Sequence, residues 1–287
     1  MTTDKADKES PKEQKGAGAA AAAKLQELSF VRMIPNLATV AALCTGLSSI
    51  RFAMLERFEW AAVAILIAAF LDGIDGRIAR LLKATSDFGA ELDSLSDFIC
   101  FGVGPAVVIY MLTLKDLGGF GWGVTLFYSV CMGLRLARFN AMTIQQQREK
   151  TEEEDETLKQ SPIMIAGKNK FFVGTPAPAA AFIALLPLMS YLAFGIDWIL
   201  NPLIYTFFMV LSAVLMVSRI PTYSFKSLKI PRSWVLPSLV IAALLMAMII
   251  SVPWILAFAI VLTYLITIPF SIMEFRKLKA LEAKEKP

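Results

Sequence analysis

Apolar runs about as long as a bilayer is thick recur along this chain, and they constrain its fold more than any other feature. They lie near Ile34 to Leu55, Trp60 to Leu82, Phe98 to Leu114, Phe120 to Ala137, Phe172 to Ala193 and Trp198 to Val217. A nearly uncharged stretch then runs from Trp234 to Phe275, long enough for two spans with a break near Pro253. Hydrophobic residues make up 56% of the 287 positions, against about 45–50% in a soluble domain. The expectation is an all-α polytopic membrane bundle of about eight helices.

Charge placement orients the bundle. An even number of spans puts both termini on one side. Arg77, Arg80 and Lys83 end the second run, and Arg135, Arg138, Arg148, Lys150, Lys159, Lys168 and Lys170 surround a long polar loop. Arg219, Lys226, Lys229, Arg232, Arg276, Lys277 and Lys279 fall on the same side, while the other side has little beyond Arg51, Arg57 and Lys115. The positive-inside rule makes that richer side cytoplasmic, with both termini. Residues 1–24, charged and then alanine-rich, read as a disordered or partly helical cytoplasmic tail. They do not read as a secretory signal, because no apolar segment with a cleavage site follows a basic start. Leu25 to Met33 is amphipathic and suits the cytoplasmic interface, core packing or a simple linker.

Composition removes several chemistries. The chain has no histidine, which excludes histidine acid–base catalysis and histidine metal ligands. Its three cysteines, Cys44, Cys100 and Cys131, lie far apart in apolar segments and read as small buried hydrophobes. A bound metal would therefore take oxygen ligands, which favours Mg²⁺ or Mn²⁺ over Zn²⁺. The net charge of +4 is too mild to signal a nucleic-acid partner.

Four aspartates interrupt the apolar pattern, in the arrangement Asp72-x-x-Asp75-Gly76-x-x-Ala79-Arg80 followed by Gly89-x-x-x-Asp93-x-x-x-Asp97. Carboxylates beside the hydrocarbon are costly, so their default reading is functional. Asp72 and Asp75 share one helix face, as do Asp93 and Asp97. An antiparallel pair of such helices brings the carboxylates together. They would repel one another without a counter-charge, and divalent cations both relieve that repulsion and assist phosphoryl transfer. Gly76 opens the helix to a bulky group, and Arg80 supplies a forked cation suited to phosphate. The plain alternative is a set of helix-end carboxylates paired with Arg77, Arg80 and Lys83.

This motif resembles the signature of the CDP-alcohol phosphatidyltransferase family, with every position filled. The resemblance implies a six-helix transmembrane core, two metal ions, a CDP-linked donor and a free hydroxyl acceptor, giving a phosphodiester and CMP. It implies metal ligation by Asp72, Asp75, Asp93 and Asp97, with Asp97 also taking the proton of the attacking hydroxyl. Gly76, Arg80 and Ser86 would contact the CDP moiety. Pro35-Asn36-Leu37-Ala38-Thr39 looks like the family's nucleotide-side element, so Asn36 and Thr39 join that set, or else serve as a helix start. On this reading residues 25–232 form the catalytic membrane domain, 233–275 an added helix pair and 276–287 a basic tail.

Other segments bear on the acceptor. Phe88 to Asp97 with Phe101-Gly-Val-Gly-Pro105, Arg135 to Asn140, Phe172 to Ala180 and Val217 to Lys226 resemble the family's integral-membrane subgroup that uses serine. Thr175 departs from that subgroup, where leucine is common. The acidic stretch Glu152 to Glu156 looks long and reads as a solvated loop. Serine's carboxylate needs a cation, and Arg135, Arg138, Arg219 and Lys226 are candidates, each of which could equally be a positive-inside charge. The expected reaction is CDP-diacylglycerol plus L-serine giving phosphatidylserine and CMP at the cytoplasmic face of a cell membrane. The resemblance also implies a homodimer. The alternatives are another acceptor (glycerol 3-phosphate, inositol phosphate or choline), a cation transporter using intramembrane aspartates, and a non-catalytic scaffold.

Overall fold

Alanine and glycine set how closely the first helices pack. The computed structural model describes residues 11–82, 86–152, 171–218, 221–223 and 235–285. Helix α1 (Pro11–Met54) and helix α2 (Phe58–Leu81) form an antiparallel pair joined by a tight turn in which Glu56 adopts φ 57°. Along this pair Ala42, Ala53, Ala61, Ala62, Ala64 and Ala68 are buried. Small side chains let helix axes approach where apolar burial alone gives little drive in lipid.

The third apolar run begins earlier than expected. Helix α3 (Asp87–Asp97) passes without a break into a π-helical turn (Phe98–Val103) and then α4 (Gly104–Leu112). Asp93 and Asp97 thus lie within the helix rather than at its entrance. Proline explains the π-turn: Pro105 has no N–H to donate to the carbonyl four residues back. That carbonyl, on Phe101, instead accepts a hydrogen bond from Tyr128 Oη at 2.9 Å. Tyr128 comes from α5 (Gly118–Glu152), which follows a short 3₁₀ turn (Leu114–Leu117).

The fifth run is not one straight span. It opens as strand β1 (Phe171–Val173), then forms α6 (Ala177–Ala184) and α7 (Leu186–Phe194), bent by 52°. Pro187 sits in the first turn of α7 and prevents α6 from running through. After a 3₁₀ turn (Asp197–Leu200) come α8 (Pro202–Val217), β2 (Pro221–Tyr223), α9 (Val235–Ser251) and α10 (Pro253–Glu285). Strands β1 and β2 pair antiparallel, with Phe171 opposite Tyr223 and Val173 opposite Pro221. This short ribbon is a small departure from an otherwise all-α bundle.

Among the described residues, Met33–Met54, Phe88–Leu112, Leu114–Met142 and Pro253–Met273 are long and apolar enough to cross a membrane, and the bent α6–α7 pair makes a fifth. The eight apolar runs expected from the sequence each reappear as a helical segment. However, α2 carries Asp72, Asp75, Arg77 and Arg80 in its last turns, and α8 and α9 are short. Large apolar side chains such as Leu37, Phe70, Trp198, Val240 and Ile250 point outward, as a lipid-facing surface requires. The core centres on Phe101, Ile109, Tyr128, Met132 and Tyr205. The N-terminal tail is helical from Pro11 as the start of α1, consistent with its alanine run Ala19 to Ala23. Residues 1–10 of the expected disordered segment lie outside the described residues.

Candidate metal centre

Three carboxylates converge between the C-terminal half of α2 and the body of α3. One oxygen from each of Asp72, Asp75 and Asp93 lies within 4.8 Å of the other two. Helical spacing carries Asp72 and Asp75 to one face of α2, and the packing of α3 brings Asp93 across from them. Asp97, one turn further along α3, lies within electrostatic reach of Asp72 and Asp93. Its Oδ1 is shielded from solvent and has no hydrogen-bond partner among the described residues. A buried carboxylate oxygen beside three converging carboxylates fits a divalent cation.

Among the described residues, no ion pair joins these aspartates to Arg77 or Arg80. Arg80 turns back and donates from Nε to the Gly76 carbonyl at 2.8 Å. Arg77 is exposed, and Lys83 lies outside the described residues. Among the described residues, Arg135 of α5 lies within electrostatic reach of Asp97. The donor set is all oxygen, and it fits a hard divalent ion such as Mg²⁺ or Mn²⁺.

The neighbours of the carboxylates come from three helices. Thr39, 5% exposed, donates from Oγ1 to Asp75 Oδ2 at 2.8 Å, with the Pro35 carbonyl at 3.2 Å. The hydroxyl expected at the nucleotide thus also aims a carboxylate. Ser96 in turn donates to the Thr39 carbonyl at 3.4 Å, tying α3 to α1. Ser86 caps α3, accepting from Gly89 N at 3.0 Å. Asn36 stands at the same helix start, since a Cβ built on Gly89 would lie 2.9 Å from Asn36 Oδ1. On the outer face of α2, a Cβ on Gly73 or Gly76 would meet nothing within 4 Å. That face has room for a bulky group.

Of the candidate acceptor contacts, Arg135 and Arg138 are described, and Arg219 lies outside the described residues. Arg135 donates from Nε to the Thr175 carbonyl at 2.6 Å, and Arg138 from Nη1 to the Val217 carbonyl at 3.1 Å. The second bond caps the C-terminal end of α8. Gly174, at φ 82°, lets the chain pass here, where a Cβ would lie 3.1 Å from the Met216 carbonyl. Lys226 lies outside the described residues. The sequence reading missed Ser94 and Ser96. Asn140 donates to Ser94 Oγ at 3.0 Å and so fastens α5 to α3. The available signal was serines interleaved with aspartates on the inner face of α3.

The CDP-alcohol phosphatidyltransferase family profile matches residues 32–217, which contain every one of these site residues except Arg219 and Lys226. A Mycobacterium leprae protein named CDP-diacylglycerol–serine O-phosphatidyltransferase is 38% identical over 250 residues, covering 87% of this chain and 78% of its own. A Mycobacterium tuberculosis protein of the same name is 36% identical over 246 residues, covering 86% and 80%. One from Helicobacter pylori is 33% identical over 197 residues, covering 69% and 74%.

Proposed function

This chain belongs to the CDP-alcohol phosphatidyltransferase family, and we propose that it transfers the phosphatidyl group of CDP-diacylglycerol to the hydroxyl of L-serine, giving phosphatidylserine and CMP. The observation that carries this reading is the convergence of Asp72, Asp75 and Asp93 inside the family-matched segment, with the buried Asp97 oxygen beside them. The names of the relatives support serine as the acceptor.

Asp72, Asp75, Asp93 and Asp97 would hold Mg²⁺ or Mn²⁺, two ions on the family pattern. Bound there, such ions supply Lewis-acid stabilisation of charge on the diphosphate. Thr39 keeps Asp75 turned inward for that task. The open faces of Gly73 and Gly76 let the CDP head lie against α2, with the Arg80 guanidinium at the end of the stripe for its phosphates. Asn36 and Ser86 flank the same head at the start of α3, where backbone N–H groups favour anions. Arg135 and Arg138 offer cations to the serine carboxylate, and Lys226 belongs to the same proposal. Asp97 takes the serine hydroxyl proton. The serine oxygen then bonds to the phosphorus bearing the diacylglycerol, and the bond from that phosphorus to CMP breaks. The diacyl chains stay in the bilayer.

The excess of Lys and Arg at the aspartate end supports a cytoplasmic active site and cytoplasmic termini. Residues 25–232 would form the catalytic domain and 233–275 an added helix pair. A homodimer is carried by family resemblance alone.

The test is CMP release from CDP-diacylglycerol by purified protein, with L-serine, glycerol 3-phosphate, inositol phosphate or choline as acceptor. Serine-dependent release with phosphatidylserine formed is expected. Release only with another acceptor overturns the serine assignment and keeps the transfer chemistry. Activity in a chelated preparation, before Mg²⁺ or Mn²⁺ is restored, overturns the role given to the aspartates.

A further inference from the structure

Helix α3 carries two of the four aspartates and is short, ending at Asp97. It runs straight into the π-turn at Phe98, where the regular helical phase is lost. The packing of α4 therefore does not by itself fix how α3 is rotated about its axis. Two side-chain bonds fix it. Ser96 donates to the Thr39 carbonyl of α1 at 3.4 Å, and Ser94 Oγ accepts from Asn140 Nδ2 of α5 at 3.0 Å. Ser94 spends its own proton on the Ala90 carbonyl at 3.0 Å, which leaves its lone pairs for the amide. Asn140 Oδ1 lies 3.3 Å from the same hydroxyl, so either end of the amide can bond it.

These bonds bracket the acidic face. At about 100° per residue, Asp93 and Asp97 lie about 40° apart around α3. Ser96 stands about 60° to one side of Asp93, and Ser94 about 60° beyond Asp97 on the other. Thus α1 holds one edge of the carboxylate face and α5 holds the other. The end of α5 is itself anchored, because Arg135 and Arg138 bond the Thr175 and Val217 carbonyls just before Asn140.

We propose that Asn140 is a positioning residue for the metal centre, acting through Ser94 to set the rotation of α3 that turns Asp93 and Asp97 toward Asp72 and Asp75. The inference rests on the metal reading of the aspartates above.

Mn²⁺ binding to metal-free, full-length protein tests it, read from the electron paramagnetic resonance signal of free Mn²⁺ and needing no turnover. Asn140→Ala is expected to weaken binding roughly tenfold, the low end of the loss when a group that orients a ligand is removed. Ser94→Ala removes the same bond from the other side and should weaken binding equally. The double variant should bind no more weakly than either single one. Trp254→Phe removes the 3.2 Å bond from Trp254 to Glu59, at the start of α2, and should bind Mn²⁺ as the wild type does. Should Asn140→Ala fail to fold, Ser94→Ala reads the same bond. Undiminished binding in these α3–α5 variants overturns the inference. So does an equal loss in Trp254→Phe, which marks general loosening. Losses that add in the double variant overturn it too, because the two side chains then act separately. A wild type that binds no Mn²⁺ overturns the metal reading and the inference together.

Discussion

Asp75 and Asp97 sit near the same centre but are treated differently by their neighbours. Asp75 receives the Thr39 hydroxyl at 2.8 Å, whereas Asp97 keeps a buried oxygen without a partner among the described residues. An oriented carboxylate suits a permanent ligand, and an unoccupied oxygen suits a group that must accept a proton. Asp97→Asn is nearly isosteric and removes that capacity. It should abolish serine-dependent CMP release, with an unchanged melting temperature showing that the fold persists. Thr39→Val keeps the shape and removes the hydroxyl. Loss of such an outer contact costs on the order of 10–100-fold in metal affinity or activity. The expected outcome is a higher Mn²⁺ requirement, read by titrating metal into a chelated enzyme. If Thr39 instead touched the nucleotide, the CDP-diacylglycerol KM would rise and the metal requirement would not. The family resemblance of Pro35 to Thr39 placed Thr39 at the nucleotide, and its bond to Asp75 was hidden there because spacing shows which residues share a face and not which oxygen a hydroxyl meets.

The helices owe their positions to a few close approaches. A Cβ on Gly46 would collide with Cys100 Sγ, and it would lie 3.1 Å from the Cys100 Cα. α1 therefore rests directly on the π-turn that follows Asp97. Gly46→Ala should destabilise the protein by about 1–3 kcal/mol, the usual cost of overpacking, seen as a lower melting temperature in detergent. Adding Cys100→Ala removes the struck sulfur and should recover part of the loss. No recovery would mean that the glycine serves the backbone of α1 rather than this contact. The π-turn shows the limit of reading elements from sequence. Pro105 is visible there as a helix disturbance, but the solution adopted depends on Tyr128, 23 residues away, whose hydroxyl takes the freed carbonyl. The bend between α6 and α7 was similarly hidden in one continuous apolar run. Hydropathy records burial in lipid and is silent on direction.

For the molecule as a whole, the orientation in the membrane has a direct check. A cysteine introduced at Lys115, between α4 and α5, should react with a membrane-impermeant maleimide in intact cells lacking the exposed Cys44. One introduced at Met142, toward the far end of α5, should react only after the membrane is opened. The reverse pattern would invert the bundle and move the carboxylates to the outer face. The sequence by itself determined the membrane character, the order of the helical segments and the stripes that carry Asp72 with Asp75 and Asp93 with Asp97. These follow from hydropathy and a 3.6-residue period, which are local properties. Only the tertiary structure decided that three carboxylate oxygens meet within 4.8 Å, that the Thr39 hydroxyl bonds to Asp75, and that Arg80 Nε donates to the Gly76 carbonyl. Those outcomes depend on the depth and angle at which helices cross. Small residues such as Gly46, Ala61 and Ala68, scattered over separate segments, fix that geometry jointly, and no local pattern records it.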